Sequence, residues 1–180
     1  MKLLLYCTKQ PSYLYDFRNI TGMFDCYKVK QTHFDNFILN GKIVAECDFE
    51  VEKISKVKDI YDDTYFYDTP TLWYDDLLKK SCLTDGQLYG YLENGTGYAI
   101  HIKNLNIFDK PKELQLYSSM REEYRAKEKA PQNMCNVYYD EGTKHYILIS
   151  IRPEWLCKIL NGEKTIEIRK KILKEMMQNA

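Results

Sequence analysis

Apolar residues recur at every second position in three stretches of this chain and at helical spacing in three others. The two periods, near 2 and near 3.6, separate the strands expected of it from the helices. Lys42 to Ile54 (KIVAECDFEVEKI) alternates, with Ile43, Ala45, Cys47, Phe49 and Val51 on one expected face. Residues 97–108 (GYAIHIKNLNIF) form a second such stretch, with a bend expected near Asn104, and 164–169 (KTIEIR) form a third. Two runs are apolar without alternation, 2–7 (KLLLYC) and 146–151 (YILISI), the pattern of strands covered on both faces.

Helical spacing predicts three short helices. Leu72, Trp73, Leu77 and Leu78 suit a helix over about 71–79. Thr84 is an N-cap for a second, which buries Leu88, Tyr91 and Leu92 and is closed by Asn94-Gly95. Pro153 opens a third, with Trp155, Leu156, Ile159 and Leu160 as its apolar face and Asn161-Gly162 as its stop. Met134 to Tyr139 reads as one more strand, 58–70 as an acidic, aromatic loop, and Asp109-Lys110-Pro111 as a turn. Residues 8–40 show no long period and end in the turn dipeptide Asn40-Gly41, whereas 112–130 is charged and reads as a surface excursion. The tail, 170–180, is expected to form a short helix. The sum is an α+β chain of 180 residues, the size of one domain.

Composition narrows the function classes little. Lys+Arg and Asp+Glu both number 26, so a polyanion would have to be met by a local basic patch. The six cysteines have no CxxC spacing, and no metal site or cofactor is predicted from them. Neither a signal peptide nor a membrane-length apolar run is visible, which leads us to expect a cytoplasmic protein with reduced thiols. Tyrosine is abundant, 16 of 180. Such rings serve as base-stacking platforms, but A+T-rich coding also raises Tyr, Lys, Asn and Ile together.

The C-terminal block is the most distinctive. The run Ile149-Ser150-Ile151-Arg152-Pro153-Glu154-Trp155, followed by Ile159-Leu160-Asn161-Gly162-Glu163-Lys164-Thr165-Ile166-Glu167-Ile168-Arg169, resembles the signature of the ASCH family. The matching positions are Gly162, Lys164, Thr165 and Arg169. Tyr6-Cys7-Thr8-Lys9, the stretch Leu39 to Glu46, Cys82-Leu83-Thr84, Gly97 to Ile102, Asp109 to Leu114 and Pro131-Gln132 resemble further blocks of small bacterial and phage-type members. In those relatives the glycine–lysine–arginine unit precedes the YCTK strand, whereas here it ends the chain. The resemblance therefore implies a PUA-like mixed or antiparallel β-barrel with a few short flanking helices, circularly permuted, within one domain over 1–180. A swapped dimer, in which the terminal unit packs on a second copy, and a rearranged fragment of a tandem array are the alternatives to a permuted monomer.

The resemblance implies RNA or nucleotide as partner, without a membrane, and ribonuclease or nucleoside amide hydrolysis in some members. In the amidohydrolase-like members a threonine two residues beyond the first is the nucleophile. That position is Glu167 here, and a carboxylate does not replace a hydroxyl in that role. The residues themselves suggest a cleft in which Gly162, Lys164, Thr165 and Arg169 bind an anion, with Glu46 as a further carboxylate. An enzyme at the same place, a metal-independent ribonuclease or nucleotide hydrolase, would use Lys164, Glu167 and His101 as catalytic groups. A phage-type regulatory protein binding a protein partner through 58–70 is a third reading. Against all of these, Lys164, Glu167 and Arg169 equally suit a cross-strand charge ladder, His101 a half-buried structural histidine, Glu46 a surface strand residue and Trp155 a core residue.

Overall fold

The computed structural model describes residues 1–8, 41–58, 63–67, 74–93, 95–119 and 126–177. Within them lie seven strands, β1 (Lys2–Cys7), β2 (Ile43–Lys58), β3 (Asp63–Tyr67), β4 (Gly97–Lys112), β5 (Met134–Tyr139), β6 (Lys144–Ile151) and β7 (Ile166–Arg169). The helices are α1 (Tyr74–Ser81), α2 (Asp85–Leu92), α3 (Pro153–Leu160) and α4 (Lys174–Met177). Strand pairing runs β5-β6-β1-β2-β4-β7, with β3 on β2. The fold is thus α+β, as expected. The described strands form an open path from β5 to β7 and do not close into the expected barrel.

The chain divides into two compact units, 1–48 with 104–162, and 49–103 with 163–180. In the first, β1 lies parallel to β6, with Leu4 opposite Leu148, and β5 pairs antiparallel with β6. Helix α3 packs on β1. Leu4, Tyr6, Ile43, Leu114, Tyr117, Val137 and Leu148 form its core. A register shift between Leu5 and Tyr6 sets Leu5 against Ala45 but Tyr6 against Ile43. Ile43 therefore faces the side opposite Ala45, which corrects the single apolar face expected of Ile43, Ala45 and Cys47.

The second unit has its own core of Ile54, Leu77, Leu88, Leu92, Ala99, Ile166 and Ile168. Burial of each of its large aliphatic side chains contributes about 2 kcal/mol relative to exposure. Thr84 opens α2 with a capping box: its hydroxyl accepts from the Gln87 N–H at 3.3 Å, and Gln87 Oε1 accepts from the Thr84 N–H at 2.9 Å. Leu88 and Leu92 are buried as expected, but Tyr91 is 41% exposed. The left-handed residue that ends the helix is Glu93, one position before the expected Asn94-Gly95.

Other expectations change too. Residues 63–67 of the expected loop pair with β2 as β3. Asp109-Lys110-Pro111 does not turn the chain, because β4 continues to Lys112. Asn104, where a bend was expected, has φ +48° inside the continuous strand β4. Trp155 is half-buried rather than core, with the Lys158 ammonium 5.1 Å from its ring centre. The expected segment 8–40, apart from Thr8, and the residues Leu72 and Trp73 lie outside the described residues. No described helix is long and apolar enough to cross a membrane.

Candidate functional site

The sequence motif straddles the two units. Helix α3 and its glycine stop belong to the first, and the lysine-to-arginine strand belongs to the second. Gly162 follows the C-cap Asn161 with φ +77° and is exposed, its N–H bonded to the Ile159 carbonyl at 3.0 Å. A left-handed backbone at that position favours glycine.

In the second unit, helix α1 positions the lysine. Its last turn closes as a Schellman motif, in which the Cys82 N–H bonds the Lys79 carbonyl and the Leu83 N–H bonds the Leu78 carbonyl, each at 3.2 Å. Cys82 occupies the left-handed position with φ +55°. The next two carbonyls would remain without intrahelical partners. The residues just before β7 supply those partners: the Thr165 N–H bonds the Lys80 carbonyl at 2.9 Å, and Lys164 Nζ donates to the Ser81 carbonyl at 2.6 Å. A cation at the negative end of a helix is favourably placed. Glu163 is tied in as well, its carbonyl 3.5 Å from Cys82 Sγ.

From Lys164 the charges continue along β7. Lys164 Nζ lies 3.3 Å from Glu167 Oε2, and Glu167 Oε1 lies 3.0 Å from Arg169 Nε. The three side chains are 3%, 11% and 14% exposed. Removal from water pushes the Lys164 ammonium below its ordinary value, while the Glu167 carboxylate opposes the shift. The arrangement is a cation–carboxylate–cation chain anchored on a helix terminus, suited to holding an anion or to holding a guanidinium in one orientation. The Thr165 backbone is fixed on both sides, its carbonyl accepting from the Ile102 N–H at 2.9 Å, and the residue itself is exposed.

The other expected site residues are not part of this chain. Strands β4 and β7 pair His101 with Ile166 and Ile100 with Glu167. Residues opposite each other share a face, and successive residues alternate. His101 therefore stands on the face of Ala99, Ile166 and Ile168, and Glu167 and Arg169 on the face of Ile100 and Tyr98. His101 is instead half-buried against Glu52, with Nε2 2.9 Å from Oε2. Lys103 pairs with Glu50 two residues along the same two strands. Glu46 belongs to the first unit, where Lys2 Nζ lies 3.2 Å from its carboxylate.

Two members of these clusters were not foreseen. The Ser81 carbonyl gave no sequence signal, since α1 ends without a glycine. Glu52 was visible only as one of four acids at even positions in β2 (Glu46, Asp48, Glu50, Glu52), with nothing local to name its partner. Among the described residues no three His, Cys, Asp or Glu side chains gather as a metal site. No family model matches the chain, and no curated protein or solved structure is significantly similar to it.

Proposed function

We propose that this chain is an RNA- or nucleotide-binding domain of the ASCH type, circularly permuted, that meets its ligand beside Lys164, Glu167 and Arg169. The observation that carries the reading is the buried ammonium–carboxylate–guanidinium chain, because its two cations, Lys164 and Arg169, are positions that carry the family resemblance. Water is largely excluded from these charges, so an anion reaching them would be held more strongly than by exposed lysines. A permuted monomer requires the terminal strands to find partners within the chain, and β6 pairs with β1 and β7 with β4. Lys170 and Lys171 follow Arg169 directly, with Lys174 at the start of α4, and would extend the cationic surface along a bound strand, Lys170 while also 2.9 Å from Glu93 Oε1.

Binding is favoured over catalysis because, of the two acid–base groups expected for an enzyme, His101 leaves the sheet on the face opposite Glu167, and Glu167 is engaged by both Lys164 and Arg169. The test is fluorescence anisotropy with short labelled single-stranded RNA and with free nucleotides across a salt series, comparing wild type with Lys164→Ala/Arg169→Ala. Salt-sensitive binding lost in the folded double variant supports the reading. Absence of binding to either probe by folded wild type at low salt rejects it.

A further inference from the structure

We infer that Lys164 is a positioning residue: it acts through Glu167 to hold the Arg169 guanidinium, and Arg169 is the group that meets ligand phosphate. This inference rests on the RNA or nucleotide reading given above and divides the roles within the site.

The geometry of the ammonium supports it. Lys164 is 3% exposed and already engages the Ser81 carbonyl at 2.6 Å and Glu167 Oε2 at 3.3 Å. A lysine has three donors, and a phosphate could approach this one only by displacing groups that compensate a buried charge. Removing either partner would leave that charge poorly compensated, which opposes such a displacement. The carboxylate is held from both sides, since Oε2 faces Lys164 and Oε1 faces Arg169 Nε at 3.0 Å. The contact at Nε is a buried ion pair and not an aligned hydrogen bond, so Glu167 restrains the guanidinium by charge, and a restrained planar fork suits bidentate phosphate recognition. Of the three, Arg169 is the outermost, at 14% exposure, and the exposed Lys170 and Lys171 follow it. The order from the inside outwards is therefore helix terminus, lysine, carboxylate, guanidinium.

Two experiments test this. In the free protein, the Arg169 Nε–H resonance is identified by its loss in Arg169→Lys, and its exchange with water is followed by NMR. We expect slow exchange in wild type and faster exchange in both Lys164→Met and Glu167→Gln. Unchanged exchange in folded Lys164→Met would overturn the positioning role, and Glu167→Gln provides the same comparison should Lys164→Met fail to fold.

Affinity for short single-stranded RNA is then measured against salt. Each phosphate contact on a single strand contributes about −0.7 to the slope of log K against log salt. Lys164→Met should weaken binding about tenfold, the equivalent of one charge-assisted contact, with the slope unchanged. Arg169→Gln should flatten the slope by about 0.7. A slope flattened by Lys164→Met would show that the ammonium meets phosphate itself and would overturn the inference. If wild type binds neither RNA nor nucleotide while the exchange pattern holds, the binding reading and the phosphate role of Arg169 both fall. The Lys164–Glu167–Arg169 chain would then stand as a stabilising contact.

Discussion

His101 stands opposite Ile166 across β4 and β7, and its neighbour Ile100 stands opposite Glu167. A single step along each strand thus sends the imidazole and the carboxylate to opposite faces of the sheet, although they are the residues a sequence-based reading would combine. The imidazole has its own partner in Glu52 at 2.9 Å. We therefore expect His101→Ala to leave RNA or nucleotide affinity within about twofold of wild type, since the substitution removes no charge from the proposed site. Its cost should appear in stability, about 1 kcal/mol for one half-buried hydrogen-bonded pair. Anisotropy titration beside thermal denaturation distinguishes the two effects. A large loss of affinity at unchanged melting temperature would place His101 in the site after all.

The depressed Lys164 ammonium makes a pH prediction of definite sign. Burial lowers its proton affinity below the ordinary 10.5 that it regains on unfolding. Between its folded value and 10.5 the unfolded chain binds more protons than the folded chain, so stability from this group rises with pH through that window. Below the window the burial penalty of the charged form is fully present. In urea titrations, wild type should gain on Lys164→Met as pH is raised towards 10.5. A wild-type advantage that instead shrinks over the same range would mean that the Glu167 pairing outweighs desolvation.

Two left-handed backbone positions, one in each unit, should respond in opposite ways. Cys82 adopts φ +55° at the end of α1, where most helices use glycine. Relief of that conformation in Cys82→Gly should stabilise the protein by about 0.5–1 kcal/mol after the added freedom of the unfolded chain is counted. Gly162 has φ +77°, and a Cβ built there meets nothing within 4 Å. Gly162→Ala should therefore lose only the backbone preference, about 1 kcal/mol, without a packing penalty. Equilibrium denaturation of the two single variants checks both signs.

What could be read from the sequence was what depends on neighbours a few residues apart. The Thr84 cap of α2, the Pro153 start of α3, the glycine stop at Gly162 and the strand Ile166–Arg169 are all local patterns, and all are present. Non-local pairing was much less accessible. Alternation in β2 suggested one apolar face, but the shift at Leu5/Tyr6 turns Ile43 to the other side, and that shift is a property of two strands together. The acidic aromatic stretch at 63–67 has no clean alternation of its own and becomes β3 by pairing with β2. Lys164 belongs to the run that resembles a family signature, yet its anchor is a backbone carbonyl at the end of α1, and no side chain signals a carbonyl. The charged residues were thus legible one by one, and the arrangement that separates Lys164 and Glu167 from His101 was not.

The last prediction concerns the packing behind the site. Gly97 opens β4, and a Cβ built on it would lie 2.7 Å from Leu92 Cδ2, 3.1 Å from Leu92 Cδ1 and 3.4 Å from Ile54 Cγ1. Leu92 and Ile54 are both core residues of the second unit, so neither has open space into which to move. Gly97→Ala should accordingly cost about 1–3 kcal/mol by overpacking, despite the better strand propensity of alanine. Leu92→Ala alone should cost about 2–5 kcal/mol by leaving a cavity. The two changes share atoms, so they should not add: with the leucine methyl groups gone, the new methyl fills part of the space they occupied. In the Leu92→Ala background, Gly97→Ala should be neutral or stabilising, measured by urea denaturation of all four members of the cycle. Strict additivity would mean that the cost at Gly97 arises from its backbone and not from contact with Leu92.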